Sequence, residues 1–495
     1  MPRNETGSSI VQRDWGHYIA GEFIETSTEE RLDVENPATG TLLTSVPDGT
    51  RADIDRAVDE ARNAFETWRH VDDEERASML YNVADAIESH EDELTTLETL
   101  ENGKPLEQAR NDVVNASKRF RFFAGGIDKF YSDMVAHDRE KVRLKVYEPY
   151  GVVGLIIPWN WPAMHTGDFV SVALATKNTV VLKPSPFTPL SSLRIAELTQ
   201  DVLPDGVLNV VTGGVEPGAA LSGHPDIDML AFTGSDVNGE KVLESAAQNI
   251  TPAMLELGGK NPVVVFDDAD IEAAVDTTVV NAYYNAGQAC SNPERLLLHE
   301  DIYEEFLDRL VDAVESLAVG DGRDDATQVG PLASEQQVEK FERYCALAEE
   351  EGAELLGQAS LPTDESLQDG YWGAPVVFDG VQPDMRIAQE EVFGPFVGVM
   401  TFTDEAEAVR IANDVDYGLT AAVWTSELSR GHRVASDIEA GVVGVNHPSL
   451  SWQGLPFGGY KRSGIGRKND FTEAMHEFSQ AKSIKVNLTE NQLSL

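Results

Sequence analysis

The segment Gly151-Val152-Val153-Gly154-Leu155-Ile156-Ile157-Pro158-Trp159-Asn160-Trp161-Pro162 begins the part of the chain that decides the fold. It is an apolar run of strand length that ends in a rigid turn of proline and aromatic residues. Strands alternating with helices at short spacing favour a doubly wound parallel sheet, which binds ligands beyond the carboxyl ends of its strands. The predicted strands lie near 152–157, 179–182, 207–211 and 229–232, and the predicted helices near 163–175, 188–202, 216–222 and 235–248.

A second alternating series begins after Gly258-Gly259, where we place a domain boundary. The chain has 495 residues, beyond the size at which a single core stops growing, so two or three domains are expected. In this series the strands lie near 262–266, 295–299, 375–378, 396–402, 420–425 and 441–446, and the helices near 270–284, 301–318, 334–351, 404–413 and 427–438.

The N-terminal part predicts short strands over 15–46 and one helical layer over 51–69, 72–101 and 105–125, where apolar residues recur every three or four positions. Two further segments, 142–146 and 484–488, alternate like edge strands. Pairing with another subunit and pairing within the same chain remain equally open for them.

The chain is strongly acidic. It has 85 acidic and 38 basic residues, a formal net charge of −47. The acid is spread over helix faces, which indicates a surface adapted to concentrated salt, where screening reduces self-repulsion. A nucleic-acid partner is disfavoured, because no Lys/Arg cluster is present to release counterions.

Cys290 and Cys345 are the only cysteines, which excludes a disulfide framework and favours a reducing cytoplasm. Residues 1–19 contain no apolar signal segment and no run reaches membrane-spanning length, so we expect a soluble protein without a membrane partner. No metal-ligand motif is predicted. Cys345 lies in an acidic helical segment and is interpreted as structural.

Cys290 follows a helical run in the small-residue stretch Asn285-Ala286-Gly287-Gln288-Ala289-Cys290-Ser291, where little bulk shields its sulfur. A nucleophilic thiol needs an activating partner, an oxyanion donor and a base for later hydrolysis. Taken alone, the residue is better interpreted as a small buried one, since unpaired cysteine is among the most buried residue types.

Four other segments carry polar groups at predicted strand ends. Asn160 is a candidate oxyanion donor or a turn former, and Glu256, inside an apolar strand, is a candidate base or an outward-facing residue. Lys183-Pro184-Ser185 suits a ribose or phosphate, although a solvated lysine remains the alternative. Ser235 begins a helix that suits a pyrophosphate or is a plain N-cap, since the usual G-x-G-x-x-G fingerprint is absent.

Together these stretches resemble the aldehyde dehydrogenase superfamily. The resemblance runs in order from about residue 15 to 488 through PWNWP, KPSPFTP, FTGS, LELGGKNP, NAGQAC, EEVFGP and PFGGYKRSG. It implies an α/β fold with a Rossmann-type NAD(P)-binding domain (1–126 and 149–258), an α/β catalytic domain (259–476) and a small β oligomerisation element (127–148 and 477–495) in a dimer or homotetramer.

The resemblance also implies the roles of individual residues. The nucleophile falls on Cys290, the general base on Glu256, the oxyanion donor on Asn160 and a supporting role on Lys260. Coenzyme contacts fall on Ile156, Trp159, Lys183, Ser185, Pro186, Gly214, Thr233, Gly234, Ser235, Leu257, Glu391 and Phe393. The substrate tunnel falls on Trp161, His165, Asp168, Tyr284, Ala289, Ser291, His447 and Trp452.

The implied reaction is oxidation of an aldehyde to its acid through a Cys290 thiohemiacetal and thioester, which Glu256 helps water to hydrolyse. Many NAD-preferring members have Glu where this chain has Pro186, so NAD with tolerance of NADP is expected. A generic aldehyde is the preferred substrate. Asp168 among aromatic residues leaves a cationic one, betaine aldehyde or an aminoaldehyde, as the alternative.

Two further function classes remain open at the level of sequence. A coenzyme-independent thiol hydrolase would use Cys290 but would leave KPSPFTP and FTGS unexplained. A non-catalytic homologue is opposed by the presence of Cys290, Glu256 and Asn160 together.

Overall fold

The computed structural model describes residues 11–26, 28–448 and 452–488. Short β-hairpins begin the described chain, and an almost continuous series of helices follows. The residues of these helices repeat apolar positions every three or four places, so that one face of each is buried. The elements are β1 (His17–Ile19), β2 (Glu22–Ile24), β3 (Arg31–Asn36), β4 (Thr41–Pro47), α1 (Arg51–Trp68), α2 (Asp73–Ser89), α3 (Glu91–Asn102) and α4 (Leu106–Ala124).

The helix predicted over 72–101 is wrong as a single element, because it is divided at His90. This residue has φ −115° and ψ 20°, outside the helical region, and both ends α2 and begins α3. The backbone N–H of Leu94 bonds to the carbonyl of His90, which starts the new helix. No glycine or proline lies at the break. The helical spacing of apolar residues therefore predicted one continuous helix.

The first large sheet has eight strands in the order β2-β1-β9-β8-β7-β10-β11-β21, with parallel pairing from β9 to β11. The register places Ile156 beside Lys183 and Thr233 beside Glu256. The carboxyl ends of four neighbouring strands therefore meet at one edge. The elements of this part are β5 (Asp133–His137), β6 (Lys141–Pro149), β7 (Val152–Ile156), α5 (Pro162–Ala175), β8 (Thr179–Lys183), α6 (Leu190–Leu198), β9 (Leu208–Val210), α7 (Val215–Ser222), β10 (Met229–Thr233), α8 (Asp236–Ala247) and β11 (Ala253–Glu256).

The second large sheet has seven strands in the order β14-β15-β16-β13-β12-β18-β19 and is parallel except for β14. Its strands are apolar on both faces and form the largest buried cluster. Its elements are β12 (Pro262–Val265), α9 (Ile271–Tyr283), β13 (Arg295–His299), α10 (Tyr303–Glu315), α11 (Glu335–Glu351), β14 (Glu354–Gln358), β15 (Val376–Asp379), α12 (Arg386–Gln389), β16 (Phe396–Phe402), α13 (Glu405–Asn413), β17 (Tyr417–Gly418), β18 (Thr420–Trp424), α14 (Leu428–Asp437) and β19 (Val442–Val445).

The last described elements return to the earlier parts of the chain. They are β20 (Tyr460–Lys461), β21 (Gly464–Ile465), α15 (Phe471–Glu477) and β22 (Ser479–Asn487). Strand β21 pairs with β11, which places Gly464 beside Glu256. Strand β22 pairs antiparallel with β6 along its whole length, from Ser479–Pro149 to Asn487–Lys141. The two edge-like segments therefore pair within one chain.

The Gly258-Gly259 pair lies between the last parallel strand of the first sheet, β11, and the first strand of the second sheet, β12. The domain limits given above stay predictions, and their ends at 1–10 and 489–495 lie outside the described residues. Among the described helices, none is long and apolar enough to cross a membrane.

Candidate active site

The loop before Cys290 has an unusual backbone. Helix α9 ends at Tyr283, and a short 3₁₀ turn, Tyr284–Gly287, follows. Asn285, Ala286 and Gly287 have φ of 50°, 54° and 70°. A Cβ at Gly287 would overlap the carbonyl group of Gly394, so glycine is required there. Left-handed conformations cost free energy for non-glycine residues and persist where the surroundings enforce them.

Asn160 joins the turn after β7 to this loop. Its side chain is buried, and its Nδ2 donates to the carbonyl of Gln288 over 3.0 Å. The backbone carbonyl of Asn160 accepts from Asn285 Nδ2 (3.0 Å) and from Lys104 Nζ (2.7 Å). The structure therefore brings Asn160 to the cysteine loop, 128 residues further along the chain.

Lys104 is a buried cation beneath Asn160. Its Nζ lies 3.0 Å from Glu98 Oε1 and 2.5 Å from Asp112 Oδ2. Burial alone would lower the pKa of Lys104, but the carboxyl groups of Asp112 and Glu98 raise it above its ordinary value. Lys104 thus remains an ammonium group that holds the Asn160 turn in place.

Glu256 is the last residue of β11 and is 3% exposed. Burial raises the pKa of its carboxyl group to about 8, and the charges of Lys468 and Arg467 act in the opposite direction. Its Oε1 has no hydrogen-bond partner among the described residues. A carboxyl group that exchanges its proton near neutral pH, with one oxygen available, is chemically suited to act as a general base.

Cys290 is partly buried, and its sulfur is electrostatically linked to Glu256. Burial raises the pKa of the thiol to about 12; Lys468 lowers it, whereas Glu256 and Glu391 raise it further. Cys290 and Glu256, the predicted nucleophile and base, therefore lie close enough for the charge of Glu256 to affect the thiol. Cys290 as a whole residue has intermediate exposure, whereas the pKa of its thiol is that of a buried group.

Lys260 lies beneath the loop at 390–394. It is buried, and its Nζ lies 2.5 Å from Glu294 Oε2. The same carboxylate accepts the backbone N–H groups of Val392 (2.9 Å) and Phe393 (2.7 Å). In this arrangement Lys260 positions a loop that carries two of the predicted coenzyme residues.

The carboxyl ends of β8 and β10 offer groups that fit a dinucleotide. Lys183 is buried, its Nζ donates to the carbonyl of Pro184 over 3.0 Å, and burial lowers its pKa to about 8. Thr233 Oγ1 is buried without a partner among the described residues. Ser235 caps the N-terminus of α8, whose backbone N–H groups favour an anion. These groups would hold the phosphates and a ribose of NAD(P).

Glu391 and Phe393 lie on the other side of the predicted coenzyme site. Gly259 donates its backbone N–H to Glu391 Oε1 over 2.9 Å, and burial raises the pKa of Glu391 to about 7. A Cβ at Gly258 would overlap that carboxylate. Phe393, with φ 57°, meets the ring of Trp159 edge to face at 5.4 Å. Four more predicted coenzyme residues lie at the carboxyl ends of β7, β8 and β11: Ile156, Ser185, Pro186 and Leu257.

The remaining predicted coenzyme residues are Gly214 and Gly234. Gly214 donates its N–H to Asp48 Oδ1 over 2.9 Å. A Cβ at Gly234 would overlap the ring of Phe232. The structure therefore excludes a larger side chain at Gly234, whereas a Cβ at Gly214 would meet only Asp48 Oδ1 at 3.7 Å, an ordinary contact.

The predicted tunnel residues fall into three groups. Trp161 and Tyr284 pair at 5.6 Å between ring centroids and, with His165 and Asp168, lie beside the Asn160 turn and on α5. Ala289 and Ser291 flank Cys290. His447 and Trp452 form a second pair at 6.2 Å on an exposed segment, where Trp452 is 63% exposed.

Asp168 has two cationic partners that the sequence did not reveal. Its Oδ1 accepts from Arg119 Nε over 2.7 Å, and its Oδ2 lies 3.2 Å from Lys468 Nζ. The sequence did not indicate a role for Lys468, because the glycine-rich segment PFGGYKRSGIGRK is typical of turns. For Arg119 and Lys104 the sequence offered one signal of a buried ion pair: Arg119 is a cation within an amphipathic helix, and Lys104 is a cation just before it.

Comparison with known proteins agrees with this geometry. Residues 23–484 match the model of the aldehyde dehydrogenase family. An aldehyde dehydrogenase of Agaricus bisporus is 40% identical over 96% of this chain and 95% of its own. The crystal structure of betaine aldehyde dehydrogenase from Staphylococcus aureus with NAD⁺ is 37% identical, with a TM-score of 0.96 over 99% of this chain and 98% of that one. That of an aldehyde dehydrogenase mutant from Bacillus cereus is 38% identical, with a TM-score of 0.95 over 98% and 99%. The chain is an oxidoreductase that acts on aldehydes, and it belongs to the aldehyde dehydrogenase family.

Proposed function

We propose that the protein oxidises an aldehyde to its carboxylic acid with an NAD(P) coenzyme, through covalent intermediates on Cys290. The observation that carries this proposal is a buried Glu256, with a pKa of about 8, at the end of a strand whose following connection is bonded through Asn261 to the Cys290 carbonyl over 2.8 Å. Asn160, tied to the loop that bears Cys290, supplies the amide for an oxyanion.

In the proposed mechanism the Cys290 thiolate adds to the aldehyde carbon, and the carbonyl π electrons become an oxyanion that Asn160 Nδ2 and the backbone N–H of Cys290 stabilise. The bound coenzyme supplies a hydride acceptor. Loss of the hydride restores a C=O bond and leaves a thioester on Cys290. Glu256 then takes a proton from water, which adds to the thioester, and the C–S bond breaks to release the acid and the thiolate.

The test is oxidation of a panel of aldehydes in molar potassium chloride, followed by the near-ultraviolet absorbance of reduced coenzyme. Cys290→Ala should abolish the signal, whereas Glu256→Gln should give one hydride burst per site without turnover. Cys345→Ala is the matched control and should remain active, because Cys345 lies on α11 and not on the loop or the strand that carry Cys290 and Glu256. Full steady-state activity in Cys290→Ala or Glu256→Gln would contradict the role of that residue.

For the substrate we propose a neutral aliphatic or aromatic aldehyde. Betaine aldehyde remains the second candidate, because the similar Staphylococcus aureus enzyme carries that name. Asp168, however, already has Arg119 and Lys468 as partners, so it offers no unpaired charge to a quaternary ammonium. A matched pair of substrates separates the two: betaine aldehyde and its uncharged isostere 3,3-dimethylbutanal. We expect the larger kcat/KM for the neutral aldehyde, and a strong preference for betaine aldehyde would reverse this assignment.

We further propose a cytoplasmic homo-oligomer that is adapted to high salt and uses NAD, with NADP tolerated. Two observations favour the oligomer: strand β5 is exposed along its length, and the outer edge of β22 has no strand paired with it among the described residues. Light scattering in molar salt would distinguish a monomer from a dimer or tetramer.

A further inference from the structure

Lys468 is held rigidly next to the proposed site. It is 6% exposed, and its backbone N–H and C=O pair with those of Phe457, each over 2.8 Å. Its ammonium group lies 5.1 Å from the ring centroid of Phe169 and 5.5 Å from that of Phe457. Its Nζ lies 3.2 Å from Asp168 Oδ2, a contact that spans 300 residues of sequence.

The cluster formed by Lys468, Asp168 and Arg119 carries one unbalanced positive charge. Asp168 is the single carboxylate between Lys468 and Arg119, and all three are at least 94% buried. Arg119 and Lys468 hold the pKa of Asp168 well below its usual range despite burial. His165 lies 3.8 Å from Asp168 and is neutral near pH 7, because burial lowers its pKa to about 4. A buried surplus cation is costly unless an anion faces it.

Lys468 lies on the segment that packs against the end of β11, because strand β21 places Gly464, four residues before Lys468, beside Glu256. Among charged groups, Lys468 has the largest effect on the pKa of both Cys290 and Glu256, and it lowers both. Glu256 and Glu391 raise the pKa of the Cys290 thiol, and Asp168 and Glu477 raise the pKa of the Glu256 carboxyl group. A negative charge on Cys290 and another on Glu256 at the same time are therefore disfavoured. The titratable and charged groups that face this pair are Lys468, Arg467, Asp168, Glu391 and Glu477, with His165 and Arg119 bound through Asp168.

We propose that Lys468 is a fixed counter-ion shared by Cys290 and Glu256, and that Asp168 and Arg119 position its ammonium group so that it stabilises one negative charge at either residue. The inference rests on the proposed function, since it assigns to those two residues the successive anions of the reaction. Lys468 acts through them and does not touch the substrate.

The proposed reaction places one negative charge at Cys290 or Glu256 at a time, which matches the one surplus positive charge of the Lys468 cluster. When a Cys290 proton moves to the Glu256 carboxylate, an S–H bond breaks, an O–H bond forms and the single negative charge passes to sulfur. After Cys290 is acylated, Glu256 loses that proton to solvent and the negative charge is again on the carboxylate. Lys468 faces one anion in both states, so neither step requires a new buried charge.

The test measures the thiol without aldehyde or coenzyme, in a Cys345→Ser background. The rate of Cys290 alkylation by iodoacetamide is followed by mass spectrometry as a function of pH. We expect Lys468→Met to move the midpoint upward by about one pH unit or more, the size of a charge interaction at close range in a partly screened site. Lys468→Arg should restore the midpoint to within about half a unit of the parent, since it keeps the charge.

Two controls keep the result interpretable. Lys461→Met removes a lysine bonded to the carbonyls of Asn413 and Val415, outside this cluster, and should leave the midpoint unchanged. If Lys468→Met fails to fold, Lys468→Gln retains a hydrogen-bond donor for Asp168 and gives the same comparison. An unchanged midpoint in a folded, uncharged variant would overturn the inference. The proposed function fails separately, if Cys290→Ala still oxidises aldehydes.

Discussion

The side-chain amide of Asn261 donates a hydrogen bond to the backbone carbonyl of Cys290 over 2.8 Å and another to that of Asn292 over 2.9 Å. Asn261 lies five residues after Glu256, in the connection between the two large sheets. A Cβ at Gly259, in the same connection, would lie 2.8 Å from the Cys290 carbonyl oxygen. The connection that follows Glu256 is therefore packed directly against the loop that carries Cys290, through the contacts of Asn261 and Gly259 with the Cys290 carbonyl.

We expect thioester hydrolysis to accelerate as pH rises through about 8. The folded-state pKa of Glu256 is raised from 4.5 to about 8, so the carboxylate needed as base forms only as pH approaches and passes that value. This step is isolated with p-nitrophenyl acetate in the absence of coenzyme. The ester acylates the thiol in an initial burst of p-nitrophenol, and the slower rate that follows measures hydrolysis of the thioester. A flat profile between pH 6 and 9, or an unchanged profile in Glu256→Gln, would contradict the assignment.

Asn160→Ala should lower kcat by a factor of about 10² to 10³, the usual cost of losing one oxyanion donor. The hydrogen bond to Gln288 is also lost, so the melting temperature is measured in parallel. Asn249→Ala, which removes an exposed amide bonded to the Gly223 carbonyl, serves as the control and should keep its activity. A loss of less than threefold in folded Asn160→Ala would remove the residue from the mechanism.

Lys104→Met should lower the free energy of unfolding by about 3–5 kcal/mol, because it leaves Glu98 and Asp112 buried without their cation. Arg110→Met is the matched control. It breaks a pair with Asp92 in which Arg110 is 44% exposed, so its cost should be about 0–1 kcal/mol. Denaturant titration in molar salt compares the two, and equal losses would show that Lys104 does not hold the core of this region.

Pro186→Glu should reduce kcat/KM with NADP far more than with NAD. A carboxylate at this position, three residues after Lys183, would repel a 2′-phosphate and accept a hydrogen bond from a ribose. Steady-state kinetics with both coenzymes measure the change in preference. If the parent protein already excludes NADP, the argument from Pro186 is wrong.

Removal of salt should lower the melting temperature, because a net charge of −47 is screened over about 3 Å at 1 M salt but only over about 30 Å at 0.01 M. Neutralising four exposed residues of α11 (Glu339, Glu342, Glu349 and Glu350, each to Gln) should reduce the salt dependence. Undiminished stability in dilute buffer would refute adaptation to high salt.

The sequence predicted most elements because each parallel strand is a short apolar run followed by a helix with its own period. Strands β13 and β16 have the predicted limits, whereas the break at His90 has no turn residue to announce it. In the site, motifs pointed to Cys290, Glu256 and Asn160. Contacts such as Asp168–Lys468 join residues 300 positions apart through side chains alone, so no local pattern reveals them.

The crowding at Gly287 also limits how the protein can be redesigned. Any side chain there would strike Gly394, and the preceding two residues already hold left-handed backbone, so mutant libraries that randomise 285–287 would consist mostly of misfolded or inactive proteins. Trp452 and Leu455, 63% and 60% exposed, tolerate exchange at little cost to folding. Because Trp452 is also a predicted substrate residue, directed evolution toward new aldehydes is best started at these two positions.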